Sequence, residues 1–214
     1  MRLHTFPGAP SPRRVQLLLA VKGASIEEVV VDLRAGQQRG PAFSAINPRQ
    51  TVPFLELHDG TGLSECAAIS VYLDEKFPEP PMYGTSAEER ARIVDADHFI
   101  EFNGLVAVME AFRNASPAMR DRALPGPRDE PQIPALAERG RRRFAAFLED
   151  FDALLADRPF AGGSRFSVAD ITAFVTLEFA RGMARLTVPD GLSNVAAWQR
   201  RVRDVEGMAG PPGS

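Results

Sequence analysis

The period of apolar and polar positions changes partway along the chain. Strand-like runs broken by turns fill the stretch up to Phe77, and helical spacing fills the remainder. Arg2 to Phe6 predicts a short strand, left by the loop Pro7-Gly8-Ala9-Pro10. Val15, Leu18 and Leu19 then fall on one helical face, with Arg13, Arg14, Gln16 and Lys22 assigned to the other, and Gly23 ends the helix. Ile26 to Leu33 is β-branched and predicts a second strand, so the opening segment is a βαβ unit with parallel strands. Arg34 to Pro41 is polar and Gly-bearing, a loop, and Ala42 to Ile46 supplies one irregular helical turn.

The densest stretch is Asn47 to Ile69, NPRQTVPFLELHDGTGLSECAAI. Pro53 opens the strand Phe54 to Leu57, giving up a ladder donor for a fixed backbone shape. His58-Asp59-Gly60 predicts a turn back to Leu63, hence a hairpin at a sheet edge. Ser64 is read as the N-cap of a third helix running to Phe77, with Glu65 as an acid in its first turn. The order is βαβ followed by ββα.

Pro78, Pro80 and Pro81 mark a boundary, dividing the chain into residues 1–78 and 86–214 with 79–85 as linker. Ser86-Ala-Glu-Glu89 predicts a capping box opening a helix that continues to about Arg113. Five prolines between Asn114 and Pro134 predict a loop longer than most connections. Helical spacing returns from Ala135 to Leu155, after Ser167-Val-Ala-Asp170, and from Asn194 to Val205. Nothing strand-like remains, so this half is all-α.

Composition narrows the function classes. A net charge of -3 over 214 residues gives no basic surface for nucleic acid, and 44% hydrophobic residues suffice for a packed core. The lone Cys66 excludes a disulfide framework and a Cys-rich metal site. The first residues, MRLHTFPGAP, lack the apolar core of a signal peptide, and no run has the length of a membrane span. The expectation is a cytoplasmic enzyme or binding protein without membrane attachment, nucleic acid or metal.

Asn47-Pro48, Val52-Pro53 and Ser64-Glu65-Cys66-Ala67-Ala68-Ile69 at these spacings resemble the glutathione-binding half of the glutathione transferases, whose cis proline follows a hydrophobic residue and whose Ser-Glu pair opens a helix. Ser167-x-x-Asp170 is the second resemblance. In that family such a box caps a buried helix and serves folding, so neither residue is assigned chemistry. The resemblance implies a thioredoxin-like domain followed by an all-helical one, and glutathione as co-substrate.

It also implies where glutathione sits. Val52 would pair through its backbone N–H and C=O beside Pro53, Glu65 would meet the γ-glutamyl ammonium, and Ser64 with the helix N-terminus would take the α-carboxylate. Gln38, Arg39 and Gln50 are candidates for the glycyl carboxylate, with Arg39 more simply a solvated loop residue. Lowering a thiol pKa by about two units takes ~2.7 kcal/mol, within reach of one charge-assisted hydrogen bond plus a helix N-terminus. Ser11 is the candidate for that role, and equally an N-cap before Pro12 with no chemistry. Phe6 stands where a strand-end Tyr would, and Tyr72 and Tyr83 lie elsewhere, so a tyrosine mechanism is disfavoured; Cys66 reads as a small semi-buried thiol. Phe6, Phe102, Met109 and Phe112 are candidates for the wall of an apolar electrophile pocket, while His98 and Asn103 read as structural. Family resemblance and the apolar positions Ile93, Phe99, Phe102 and Val106 imply a homodimer. Two function classes emerge: a transferase adding the glutathione thiolate to a hydrophobic electrophile, with peroxidase or disulfide reductase side activity, or a catalytically idle relative that binds ligands or partners.

Overall fold

The computed structural model describes residues 1–208; the end of the Gly/Pro tail, residues 209–214, lies outside the described residues. The first half runs β1 (Arg2–Thr5), α1 (Pro10–Val21), β2 (Glu27–Val30), α2 (Pro41–Ile46), β3 (Phe54–Glu56), β4 (Gly62–Leu63) and α3 (Cys66–Lys76). The strands form one sheet in the order β2-β1-β3-β4, with β1 parallel to β2 and antiparallel to β3. The register sets Leu3 opposite Leu55 and His4 opposite Phe54. Side chains alternate across a strand, so the two pairs serve opposite faces. Leu3 and Leu55 join Val15 and Leu18 of α1 and Ile69 and Leu73 of α3 in the main core. On the other face Phe54 packs with Phe43 of α2 and Val31, and the His4 ring lies 5.7 Å from those of Phe43 and Phe54.

Helix α1 ends as its sequence predicts, in a Schellman arrangement: Gly23 at φ 58° donates to Ala20, and Ala24 donates to Leu19. Its polar face needs correction. Arg14 and Lys22, assigned to solvent, are buried; the Lys22 ammonium meets Asp74 at 2.6 Å and the carbonyls of Phe77 and Pro80 at 2.6 and 2.8 Å. A cation is tolerated there because every donor finds an oxygen. The hairpin turn is as expected, with Asp59 Oδ1 accepting from Thr61 N at 2.9 Å and Gly60 at φ 83°.

The second half is helical: α4 (Ala87–Ile100), a π turn (Glu101–Leu105), α5 (Val106–Ala115), α6 (Pro134–Leu154), α7 (Val168–Gly182) and α8 (Ser193–Arg203). The helix expected from Ser86 is real, though Glu101–Leu105 loosens it into a π turn, the one-turn bulge that recurs at functional sites. Ser86 Oγ accepts from Glu89 N at 3.2 Å, but the Glu89 carboxylate reaches Thr85 rather than Ser86, so the box is offset by one residue. The segment expected to be loop is held by short backbone pairings, Ala123 N to Glu130 O and Glu130 N to Asp121 O, each 3.0 Å.

Helix α7 is the axis of this half. From Val168 to Leu177 every residue is buried. Its start holds the expected box and more: the Asp170 carboxylate accepts from Ser167 N and Oγ at 3.0 Å each, from Ala161 N at 2.7 Å and from Trp198 Nε1 at 2.8 Å. Phe144, Phe147 and Phe151 stack along α6, Trp198 meets Phe151 edge-on, and all four share one continuous core with Leu3, Leu18 and Ile69 of the first half.

Candidate functional site

The N-terminal ends of α1 and α3 meet at Ser11 and Cys66, and Ser64 ties the start of α3 to Asn47 in the turn before β3. Helix α1 begins at Pro10 with Ala9 as N-cap and no side-chain cap. This overturns the N-cap reading of Ser11, which instead lies in the first turn; its hydroxyl makes no hydrogen bond among the described residues, while its carbonyl accepts from the Cys66 thiol at 3.4 Å. Proline at positions 10 and 12 explains the shift, since the helix can start two residues earlier on Pro10.

Helix α3 departs from its expected start in the opposite sense, one residue later. Glu65, not Ser64, is the N-cap residue, and it caps without its side chain. Ser64 Oγ turns back to donate to Asn47 Oδ1 at 3.2 Å. Asn47 is buried and acts as a brace, a role its sequence position does not reveal: its Nδ2 donates to Thr51 O at 2.8 Å and its Oδ1 accepts from Arg49 N at 3.1 Å. The strap so formed presents cis Val52-Pro53, with Gln50 in the left-handed region at φ 55°. Neither the N–H nor the C=O of Val52 is engaged by another group among the described residues.

Glu65 is largely exposed and ion-paired to Arg49. Gln38 stands in a 3-10 turn, and its Oε1 is buried without a donor. Arg39 is not a free loop cation: it reaches across to the Pro-rich segment, meeting Asp129 at 2.6 Å and Pro127 O at 3.2 Å.

Behind Ser11 lies an ionic knot that sequence reasoning missed. Arg14 forks onto Glu101 at 3.0 and 3.3 Å and approaches Asp97 at 3.8 Å, and Asp97 also accepts from the Thr172 hydroxyl. Burial pushes the Asp97 carboxyl up from its ordinary value, against the pull of Arg14 and Thr172. The signal was present in the spacing, because Arg14 stands four residues before Leu18 and so on the core side of α1. Burial likewise pushes the Cys66 thiol up to about 11, despite Arg14 nearby. Such a thiol is neutral at physiological pH and is a poor nucleophile.

The four apolar candidates do not form one wall. Phe6 is half-buried with the Arg34 guanidinium 5.9 Å over its ring. Met109 and Phe112 pack against the core of the helical half, and Phe112 lies 5.4 Å from Phe179 of α7. Phe102 stands apart, 56% exposed, stacked on His98 with Arg143 of α6 5.1 Å over it. Asn103 bonds its own helix at Phe99 O. No group of three His, Cys, Asp or Glu side chains is placed to hold a metal ion among the described residues.

A thioredoxin-like sheet with its proline strap, joined to a helical bundle by a buried ionic knot, defines the class to which the comparisons with known proteins also point. Residues 3–81 match the glutathione S-transferase N-terminal domain and residues 134–201 its C-terminal domain. The chain is 34% identical over 206 residues to "Glutathione S-transferase 2" of Saccharomyces cerevisiae, covering 95% of this chain and 85% of that one. A shorter match, 36% over 94 residues, is to maleylacetoacetate isomerase of Pseudomonas aeruginosa, spanning 43% of this chain and 44% of that protein. Among solved structures, a glutathione S-transferase domain-containing protein of Marinobacter aquaeolei VT8 superposes with a TM-score of 0.89 at 35% identity, covering 97% of this chain and all of that one. Gtt2 of Saccharomyces cerevisiae gives 0.88 at 31%, covering 98% and 99%. The chain belongs to the glutathione S-transferase family, whose members bind glutathione, and its relatives support a glutathione-dependent, transferase-like activity.

Proposed function

We propose that the protein is a glutathione transferase that ionises the glutathione thiol at the N-terminal end of α1 and adds the thiolate to a hydrophobic electrophile. The observation that carries this reading is the unengaged Ser11 hydroxyl in the first turn of α1, within one thiol contact of the start of α3. Capping no longer competes for that hydroxyl. The helix N-terminus favours an anion beside it, and the hydroxyl adds a donor.

In this reading Val52 supplies the backbone pairing beside Pro53, Ser64 and the α3 N-terminus take the α-carboxylate, and Glu65 meets the γ-glutamyl ammonium. Gln38 and Gln50 remain for the glycyl carboxylate, since Arg39 is occupied by Asp129. Phe6, Met109 and Phe112 line the electrophile side. We assign Phe102 instead to the outer stripe of Val94, Phe102 and Val106, which are 48%, 56% and 38% exposed, as the contact of a homodimer. Ile93 and Phe99, expected on the same stripe, turn inward. The division at 78 and 86, peroxidase or disulfide reductase side activity, a detoxification role and a cytoplasmic location belong to the same proposal. No described helix is long and apolar enough to cross a membrane.

Ser11→Ala tests it. Loss of the donor raises the pKa of bound glutathione by about one unit or more, ~1.4 kcal/mol of anion preference, and turnover falls with it. Thermal stability stays nearly constant, because no cap bond is lost. A thiolate absorbance that titrates unchanged in Ser11→Ala sinks the assignment.

A further inference from the structure

The segment between α5 and α6, residues 116–133, is folded as an arm that reaches the other half of the molecule. Its base is pinned to the end of α5. Gln132 Nε2 donates to the carbonyls of Arg113 and Ser116 at 2.8 and 2.7 Å, and the buried Asn114 accepts from Ile133 N through its Oδ1 at 2.9 Å. Farther out, Ala123 N donates to Glu130 O and Glu130 N to Asp121 O, each at 3.0 Å, which closes the arm and leaves residues 124–129 as its tip. Pro125 and Pro127 flank Gly126 there, and their two fixed φ angles stiffen the tip. Connections this long that hold their own shape are commonly functional.

The tip rests on the glutathione half at two points. The Arg39 guanidinium meets Asp129 at 2.6 Å and the Pro127 carbonyl at 3.2 Å. Gly126 lies against the turn before β3, where a Cβ added to it would stand 3.8 Å from Arg49 O. Each contact is one residue from a group assigned above to the glycyl carboxylate of glutathione, Gln38 in the first case and Gln50 in the second. Gln38 keeps a buried Oε1 without a donor among the described residues, and Gln50 is held at φ 55°. The tip therefore bridges the two turns from which the glycyl end of the site is built.

We propose that this tip is the end wall of the thiol site, so that the site takes a thiol peptide ending at glycine and rejects one extended beyond it. The inference rests on the glutathione reading and adds which thiol is selected. Each further residue lengthens a peptide by up to ~3.5 Å. With the tip seated on both turns, an added residue has to displace it, breaking the Arg39–Asp129 pair and the contact at Arg49, whereas glutathione leaves both in place. That ion pair is partly exposed, so it orders the tip and contributes little to holding the fold together. Untying it therefore loosens the wall without unfolding the chain.

Calorimetric titration of the full chain with glutathione and with its one-residue extension, γ-glutamylcysteinylglycylglycine, tests this without turnover. The native chain is expected to bind the tetrapeptide at least about tenfold more weakly than glutathione. Replacing residues 124–129 by three glycines removes the wall. The gap is then expected to narrow to about threefold or less, because the tetrapeptide binds more tightly while glutathione stays within about twofold of its native affinity. Asp129→Asn, which unties the tip at full length, is expected to fall between the two, and it carries the test if the shortened arm disturbs the end of α5 and fails to fold. An arm that only supports the fold gives another pattern, in which the thermal midpoint falls and the two peptides keep their ratio. A ratio unchanged in every variant that folds overturns the proposal and assigns selection to the turns at Gln38 and Gln50 alone. Equal affinity of the native chain for both peptides also overturns it and leaves the glutathione reading standing. A native chain that binds neither peptide refutes the glutathione reading and this inference with it.

Discussion

At the scale of single residues, the same few positions separate chemistry from packing. Ser11 and Cys66 sit in touch at the meeting of α1 and α3 yet have opposite characters. The serine hydroxyl is unengaged, whereas the thiol is buried, bonded to Ser11 O and held protonated. Cys66 therefore predicts two observations. Iodoacetamide at pH 8 leaves the native chain unmodified over the time in which the unfolded chain reacts fully; ready alkylation of the native protein would mean that the thiol is accessible and activated. The second concerns stability. The folded thiol keeps its proton up to about 11 against an ordinary 9.0, so its contribution is fully present below 9 and is lost as pH rises from 9 through 11. The amount is on the order of 2 kcal/mol, read as a steeper fall in denaturant midpoint for the native chain than for Cys66→Ala across that window.

At the scale of elements, most of the fold was legible because the signals were local. The hairpin followed from His58-Asp59-Gly60, the end of α1 from Gly23, and the start of α7 from Ser167 and Asp170. The site was legible as a neighbourhood and less so in detail. Ser11 and Ser64 both look like N-caps, and both helices found their starts elsewhere, since proline at 10 outcompeted one and the Asn47 brace claimed the other. The helical spacing could place Arg14 on the core side of α1, but the partners that make burial of Arg14 and Lys22 tolerable, Glu101 and Asp74, come from distant stretches of the chain. Contacts of that kind have no sequence period. The packing of α6 on α5 is similar: Gly140 reads as a weak helix residue, but a Cβ there would lie 2.6 Å from Ala111 N and 2.7 Å from Ala107 O. Gly140→Ala gains roughly 1 kcal/mol of helix propensity and must still push the α5 and α6 backbones apart, an overpacking cost of ~1–3 kcal/mol or more. Net destabilisation is expected, seen as a lower thermal midpoint; an unchanged or higher one would show that α5 and α6 can separate freely. Trp198→Phe should also destabilise, by ~1–3 kcal/mol, because it leaves the buried Asp170 carboxylate one donor short.

At the scale of the whole molecule, the long helix α4 to α5 serves two surfaces at once. Its inner line, Asp97 and Glu101, locks onto Arg14 and fixes the angle between the halves. Its outer line leaves Val94, Phe102 and Val106 in solvent, and Val71 of α3, 41% exposed, adds another apolar side chain on the neighbouring half. Scattered exposed apolar residues are ordinary, but three along one side of a helix form a patch. Arg90, Asp95 and His98 lie beside Val94 on the same surface, a mixed polar border of the kind that surrounds an interface. A two-fold dimer would set this face of the helical half against the thioredoxin-like half of a second copy, each such contact occurring twice. Val94→Glu then places a carboxylate in both symmetry-related contacts, where it must be desolvated. The expected result is a dimeric mass for the native chain by light scattering at micromolar concentration, and a monomeric mass for Val94→Glu with the helical signal retained. A native chain that scatters as a monomer at that concentration removes the dimer from the proposal and leaves the stripe an ordinary surface.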